Sequence, residues 1–328
     1  MKKIVSFFGE PSETFQKLNE RAKEYAAVRN LEYVWSVQCP YNQDEVIKQL
    51  QQADAGIIDI EPYGEDIFSQ IKDSTKILVR FGVGYDKVDL KAASRNGIAV
   101  ARTTGANTTA VAEMALTLML SAKRHICIDD NVVRSGRWEK DVVNELTGAT
   151  VGIVGFGAIG KQLAKLLQGF DCKIVAYDPF PNTEAAKALN VELLDLETLL
   201  KESDAISIHV PFLESTKNLI NRETLALMKP SSVIVNTSRG GIVNEGDLYN
   251  ALKEHKIGGA GLDVFAVEPL PMDSPLRELD NILLTPHNSS QTEEALWNIY
   301  KMAIDIAADF FEKKLSAHIL NPDFAEGK

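Results

Sequence analysis

From Val151 the chain reads Val151-Gly-Ile-Val-Gly-Phe-Gly-Ala-Ile-Gly160, an apolar run that breaks into Gly155, Gly157 and Gly160 at Gly-x-Gly-x-x-Gly spacing. Three glycines alone make only a turn. Here an apolar, strand-like run precedes them, and Leu163, Leu166, Leu167 and Phe170 follow on one face of a helix. Strand, turn and helix together constrain the segment to a parallel βαβ unit. The first glycine permits the tight turn, the second lets a pyrophosphate approach the backbone, and the third brings helix against strand. The helix N-terminus adds N–H donors and a positive dipole end. The next strand-like run, Lys173-Ile-Val-Ala-Tyr-Asp178, ends in an acid at the spacing where a carboxylate accepts from an adenosine ribose and repels a 2′-phosphate. The segment therefore reads as a dinucleotide site preferring NAD to NADP, with Gly155, Phe156, Gly157, Ala158, Ile159, Gly160 and Asp178 around the cofactor.

The fingerprint sits within a longer series. Apolar β-like runs recur at 151–155, 173–178, 205–210, 232–236, 259–265 and 281–285, with amphipathic stretches between them. An earlier series has runs at 3–8, 32–37, 55–60, 77–81 and 98–101, with helical patterns at 14–28 and 44–51. Strands alternating with amphipathic helices imply parallel sheets covered on both faces. The expected fold class is α/β, with two Rossmann-like doubly wound parallel-sheet domains and the active site in the cleft between them. A polar segment, Thr103-Thr-Gly-Ala-Asn-Thr-Thr109, leads into a helical stretch at 110–123 that is hydrophobic around most of its circumference. Such a helix is buried, here expected between domains or between subunits. The pattern continues amphipathically over 132–138, and a last helical pattern at 293–314 crosses back to the first domain. The expected domains are 1–102 plus 290–328, a flavodoxin-like substrate-binding domain, and 103–289, an NAD-binding Rossmann domain. Residues 103–107 and 289–291 are the expected hinges.

At 328 residues the chain has room for two cores, taking about 150 residues per domain. Its 45% apolar and 25% charged composition is that of an ordinary globular protein, which removes fibrous and disordered classes. A net charge of −11 argues against nucleic acid as a partner, because phosphates require a basic face. Cys39, Cys127 and Cys172 show no paired spacing, so reduced thiols in the cytoplasm are expected, with no metal site. Lys2-Lys3 before Ile4-Val-Ser-Phe-Phe8 imitates a signal peptide, but the apolar run is short and Gly9-Glu10-Pro11 ends it, so it reads as a first strand. No apolar stretch approaches the ~20 residues that span a bilayer, so no membrane partner is expected.

Three residues carry the chemistry. Arg239, Glu268 and His287 each follow an apolar run: Ser232-Val-Ile-Val-Asn236, Gly259-Ala-Gly-Leu-Asp-Val-Phe265 and Asn281-Ile-Leu-Leu-Thr285. In an open parallel sheet, groups at the carboxyl ends of strands meet the ligand. Reduction of a 2-oxo acid builds negative charge on the carbonyl oxygen, and an imidazole is suited to protonate it. A neighbouring carboxylate, Glu268, favours the imidazolium of His287. Arg239 can grip carboxylate and carbonyl oxygens with its planar fork. His209, ending a strand in His-Val-Pro, is assigned to the lining of the cofactor cleft rather than to catalysis.

At these motifs the chain resembles the D-2-hydroxyacid dehydrogenase family, which includes phosphoglycerate dehydrogenases and glyoxylate and hydroxypyruvate reductases. The resemblance runs from about Arg80 to Thr292. It is carried by Arg80-Phe-Gly-Val-Gly-Tyr-Asp86, Asn107-Thr-Thr-Ala-Val-Ala-Glu113, the glycine fingerprint, His209-Val-Pro211, Met228-Lys-Pro230, Asn236-Thr-Ser-Arg-Gly-Gly241, Leu262-Asp-Val-Phe265, Glu268-Pro269 and Thr285-Pro-His287. The resemblance implies that Arg239, Glu268 and His287 are the catalytic set and that the backbone of Val83 and Gly84 binds the substrate carboxylate. It implies that Asp263 holds the nicotinamide carboxamide, and that Thr109, His209, Val210, Pro211, Thr216, Thr237 and Ser238 lie along the cofactor. It also implies a homodimer built on the cofactor domain. Ala158 stands where many relatives have Arg, leaving only backbone for the pyrophosphate, and Asn288-Ser-Ser290 replaces a glycine- or alanine-rich stretch. Asp59 stands about where phosphoglycerate dehydrogenases present an arginine, which implies a non-phosphorylated substrate. The expected activity is interconversion of a 2-oxo acid and a D-2-hydroxy acid. Two other uses of the scaffold remain open at this point: oxidation of formate or phosphite, and non-enzymatic NAD(H) sensing.

Overall fold

The computed structural model describes residues 1–314 and 317–325, and the chain divides into two compact units, Met1–Asn107 with Thr292–Lys328, and Thr108–Gln291. In the first unit five parallel strands form one sheet: β1 (Lys2–Ser6), β2 (Leu31–Trp35), β3 (Ala55–Ile58), β4 (Ile77–Arg80) and β5 (Ala99–Arg102), in the order β2-β1-β3-β4-β5. Successive strand residues point to opposite faces, and both faces are buried. Ile4, Ile57, Ile77, Val79, Ala99 and Ala101 pack under one helix layer, while Val5, Ile58, Leu78 and Val100 pack under the other. This is why the strands read as continuous apolar runs rather than alternating ones.

Helix Glu13–Val28 begins where the Ser12 side chain accepts the Phe15 N–H, and it buries Phe15, Leu18, Ala22 and Ala26 on one stripe. Helix Glu293–Phe311, capped by Thr292, buries Leu296, Ile299, Tyr300, Ala303 and Ala307 in the same layer. Arg29 clamps the two together through Asp305 and, at 2.7 Å, Asp309. The terminal helical pattern runs a few residues shorter than its sequence signal, because the chain leaves the helix at Glu312.

The second unit is a seven-stranded parallel sheet: β6 (Thr150–Val154), β7 (Lys173–Tyr177), β8 (Val191–Leu193), β9 (Ala205–Ile208), β10 (Val233–Asn236), β11 (Gly259–Leu262) and β12 (Ile282–Leu284), in the order β12-β11-β10-β9-β6-β7-β8. The edge strand β8 has no counterpart among the sequence-read strands. Its three residues are too few to show a strand period.

The apolar stretch at 110–123 forms helix Thr108–Lys123, which lies on β9, β10 and β11 of its own unit and against helix Ala158–Leu167, burying Ala112, Ala115, Leu118, Met119 and Ala122 and leaving Met114, Leu116 and Leu120 half-buried. Gly261 makes the fit possible: a Cβ there would stand 2.9 Å from Leu118 Cβ. The pattern at 132–138 is corrected. The helix is Ile126–Arg134, and Ser135 and Gly136, the latter at φ +81°, end it before Trp138. Among the described residues no helix is long and apolar enough to cross a membrane, and Cys39, Cys127 and Cys172 are all free thiols.

Ile299 is 2% exposed at the centre of the Glu13–Val28 layer. Ile299→Ala should lower unfolding stability by about 2–5 kcal/mol, the usual result of emptying an aliphatic core site. Urea denaturation checks this, and a loss under about 1 kcal/mol would contradict the tight packing.

Candidate active site

All strands of the second unit run the same way, so their carboxyl ends share one edge. Strand order reverses at β6, where the chain winds outward to β7 and β8 and then resumes on the other side at β9. Ligands of open parallel sheets bind at that edge beside the reversal.

The loop after β6 carries the fingerprint. Gly155 has φ +101°, and its N–H donates to Tyr177 O at 2.8 Å. A Cβ on it would lie 2.7 Å from the carbonyl carbon of His209 and from the Val210 nitrogen. Both the turn and the close approach require glycine. At Gly160 a Cβ would come within 2.3 Å of Gly155 O, so the third glycine lets the helix seat on the turn. Gly157 differs: a Cβ there would meet nothing within 4 Å, and no side chain caps the helix Ala158–Leu167 that it precedes. Asp178, just past β7, accepts the N–H groups of Phe156 and Phe180, each at 2.8 Å, and so ties the fingerprint loop to the neighbouring strand end.

His209 lies just past β9, and its Nε2 is hydrogen-bonded to Ser207 Oγ within that strand at 2.9 Å. The residue as a whole keeps some exposure, but its Nδ1 has none and meets no hydrogen-bond partner among the described residues. Burial pushes the His209 imidazole down to about 4. Thr237 Oγ1, past β10, is likewise buried without a partner. The Ser238 hydroxyl donates to Val210 O. Thr216 closes the loop after β9 by donating to Pro211 O at 2.6 Å and accepting the Leu213 N–H at 2.8 Å. Thr109 is exposed in the first turn of helix Thr108–Lys123. An uncapped glycine cradle, two buried polar atoms awaiting partners and an acid on the adjacent strand match what a dinucleotide offers. Among the described residues no group of three or more His, Cys, Asp or Glu side chains is placed to hold a metal ion.

The three chemistry-bearing residues come from the ends of β10, β11 and β12. Asn236 shapes the first loop: its side chain donates to Arg239 O at 2.9 Å and accepts the Ser238 N–H at 3.0 Å. Arg239 Nη1 donates to Ser238 O at 2.7 Å. Gly240 then passes so close to the next loop that a Cβ would stand 1.9 Å from Phe265 O. Glu268 Oε1 accepts the Phe265 N–H at 2.9 Å, and Glu245 Oε1 accepts the Ala266 N–H at 2.6 Å. Glu268 Oε2 lies 2.8 Å from His287 Nδ1. Burial alone would push the Glu268 carboxyl up. Hydrogen bonds from His287 and the Phe265 amide, with the charges of His287 and Arg239, more than offset it and hold the carboxyl below its usual range. An ionised carboxylate only accepts, so Nδ1 carries the proton of this bond and Nε2 is the ring nitrogen left for substrate.

His287 itself has φ +51°, and its N–H donates to Asp263 O at 2.8 Å. Asp263 is fully buried. Its Oδ1 accepts from Thr285 Oγ1 at 2.6 Å and the Asn288 N–H at 2.9 Å; its Oδ2 accepts the Ser289 N–H at 2.9 Å and the Ser289 hydroxyl.

Val83 and Gly84 belong to the other unit, past β4, where Gly82 at φ +122° donates to Thr103 Oγ1 at 2.9 Å. In the same unit Asp59 Oδ1 lies 3.7 Å from Arg80 Nη1. Four supporting residues escaped the sequence reading: Asn236, Gly240, Glu245 and Ser289. Asn236 gave a signal, since Asn at a strand end commonly closes a turn on its own backbone. Gly240 was hidden by Gly241 beside it, and Glu245 and Ser289 act on loops distant in sequence.

Because folded His209 titrates near 4 against 6.5 in the open chain, only the unfolded state takes up its proton between those values. Its contribution to stability is complete above about pH 6.5 and falls by up to about 3 kcal/mol as pH drops toward 4. His209→Asn should flatten that part of the stability-versus-pH curve in urea titrations from pH 7 to 4. An unchanged slope would mean that the ring is not buried in its neutral form.

Comparison with known proteins bears on this geometry. Residues 116–289 match the family model described as D-isomer specific 2-hydroxyacid dehydrogenase, NAD binding domain. The hydroxypyruvate reductase of Thermotoga maritima is 44% identical over 260 residues, covering 77% of this chain and 83% of that protein. The D-3-phosphoglycerate dehydrogenase of Archaeoglobus fulgidus is 37% identical over 286 residues, 87% of this chain but 54% of that protein. The chain thus spans about half the length of the phosphoglycerate dehydrogenases it matches. Among solved structures, D-2-hydroxyisocaproate dehydrogenase superposes with a TM-score of 0.86 at 25% identity, covering 98% of this chain and 100% of that one.

Proposed function

Because the chain belongs to the D-isomer-specific 2-hydroxyacid dehydrogenase family, we propose that it interconverts a 2-oxo acid and the corresponding D-2-hydroxy acid with NAD. The observation that carries this reading is the Glu268–His287 pair at 2.8 Å, with the Arg239 charge acting on the same carboxylate. It stands at the strand edge that also bears the glycine cradle.

The nicotinamide, when bound, supplies or accepts the hydride at the substrate's second carbon. His287 gives its Nε2 proton to the carbonyl oxygen during reduction and recovers one from solvent; in oxidation it takes the hydroxyl proton. Glu268 holds Nδ1–H, which fixes the tautomer and the ring plane. Arg239 binds the substrate carboxylate and carbonyl oxygen, orienting the acid and stabilising the charge that builds on oxygen. Gly155 to Gly160 and the first turn of helix Ala158–Leu167 would hold the pyrophosphate, and Asp178 the ribose. His209, neutral and buried, would serve the cofactor as a hydrogen-bonding wall, with Thr237 beside it.

The assembly we propose is a homodimer through the cofactor unit. Ile126, Val133, Trp138 and Val142 are all at least half exposed within one segment of that unit, and Trp138 reaches 80%. Such an apolar segment is suited to cover by a second copy. Trp138→Glu should shift sedimentation toward monomer, and a parent protein that sediments as a monomer would end the proposal. Three unpaired thiols suit a reducing compartment such as the cytoplasm.

The activity is tested by following NADH oxidation against 2-oxo acids graded by side-chain size, including glyoxylate, pyruvate and hydroxypyruvate. His287→Ala should lower kcat by roughly 100- to 10,000-fold, the range of a lost general acid. Arg239→Lys should fail to restore the parent rate, because an ammonium lacks the planar fork. Undiminished turnover in His287→Ala, or no turnover of any oxo acid by the parent protein, would refute the reading.

A further inference from the structure

Asp263 concentrates an unusual number of bonds on one short segment. Its carboxylate has about four acceptor positions, and the chain fills all four from residues 285, 288 and 289, on both sides of His287. Its carbonyl takes the N–H of His287 at 2.8 Å. One buried aspartate therefore holds the whole turn that presents the imidazole, and that turn includes a left-handed residue at φ +51°. Left-handed backbone is uncommon for a residue with a Cβ and persists when its surroundings over-determine it.

Three of the four donors leave little room for choice. Two are main-chain N–H groups, which residues of many kinds would supply, and the third is the Thr285 hydroxyl at the end of β12. The fourth, the Ser289 hydroxyl, depends on this chain having serine at 289. Ser289 is 5% exposed, and both its N–H and its hydroxyl reach the same oxygen, Oδ2. A carboxylate lacking that donor would have one buried acceptor unmatched and would be able to turn toward another partner.

We propose that Ser289 is a positioning residue for His287. Its hydroxyl saturates Asp263, locks the carboxylate in one orientation, and so fixes the 285–289 turn and the imidazole against Glu268. This rests on the reading of His287 as the acid/base group, and it goes beyond that reading by giving Asp263 and Ser289 a role in aiming the ring.

The test uses the full chain with Ser289→Ala, and Ser289→Gly as a second variant should the first fail to fold. Two readouts are taken. The first is the nitrogen-15-labelled imidazole Nδ1–H resonance of His287 in the ligand-free protein. The second is the division of any rate effect between kcat and KM. We expect the resonance to broaden or vanish, kcat to fall about 5- to 50-fold, and both the KM for the oxo acid and the NADH dissociation constant to stay within about twofold. An unchanged resonance with unchanged kcat overturns the proposal. A weakened NADH affinity with unchanged kcat also overturns it, since the hydroxyl would then serve the cofactor. If the parent protein turns over no oxo acid, the functional reading fails, and the resonance alone still decides whether Ser289 holds the ring.

Discussion

The chemistry at the carboxyl edge depends on a contact between two backbones. At Gly240 the loop after β10 presses so closely on the loop after β11 that no side chain fits between them. This approach sets the Arg239 loop against the Glu268 loop, where the Arg239 charge adds a minor lowering of the Glu268 carboxyl beside the larger effects of the His287 and Phe265 hydrogen bonds. Parallel strands about 4.8 Å apart bring their ends near one another, but sheet spacing alone does not make loops touch. The glycine lets the two loops meet backbone to backbone.

Carboxylates then serve as ties. Asp178 joins the β6 loop to the end of β7, Glu245 holds the Ala266 amide, Glu268 holds the Phe265 amide, and Asp263 holds the turn after β12. Each accepts main-chain N–H groups that a strand end leaves without a ladder partner, and such charge-assisted bonds are stronger than neutral ones. The excess of acid in this chain therefore has work to do inside the fold as well as at its surface. The same bonds favour the ionised carboxylate, and for Glu268 that matters doubly, because only an ionised partner compels His287 to keep its proton on Nδ1.

The parts of this architecture that were legible in the sequence are those in which one residue type satisfies a local rule. The glycine fingerprint gave the β6 turn because Gly155 and Gly160 are required sterically at fixed spacing. Arg239, Glu268 and His287 were readable because each follows an apolar run, and the pairing of Glu268 with His287 follows from adjacent parallel strands. Other features were not readable. The three-residue β8 carries no period, and sequence cannot show that Gly261 admits Leu118 of helix Thr108–Lys123. Ser289 and Glu245 matter through partners 26 and 21 residues away. Contacts of that kind exist only once the sheet has assembled.

The two histidines at this edge show how far environment, rather than residue type, sets a role. His209 follows β9 beside Gly155, whose missing side chain lets the turn press on the His209 backbone. There the Nε2 of the ring meets the Ser207 hydroxyl, and burial favours its neutral form. His287 sits on a left-handed turn two strands beyond β10, with a carboxylate at its Nδ1 and its side chain 40% exposed. A neutral ring that cannot take up a proton is a wall or a hydrogen-bonding partner; a partly exposed ring clamped on one nitrogen can pass a proton through the other.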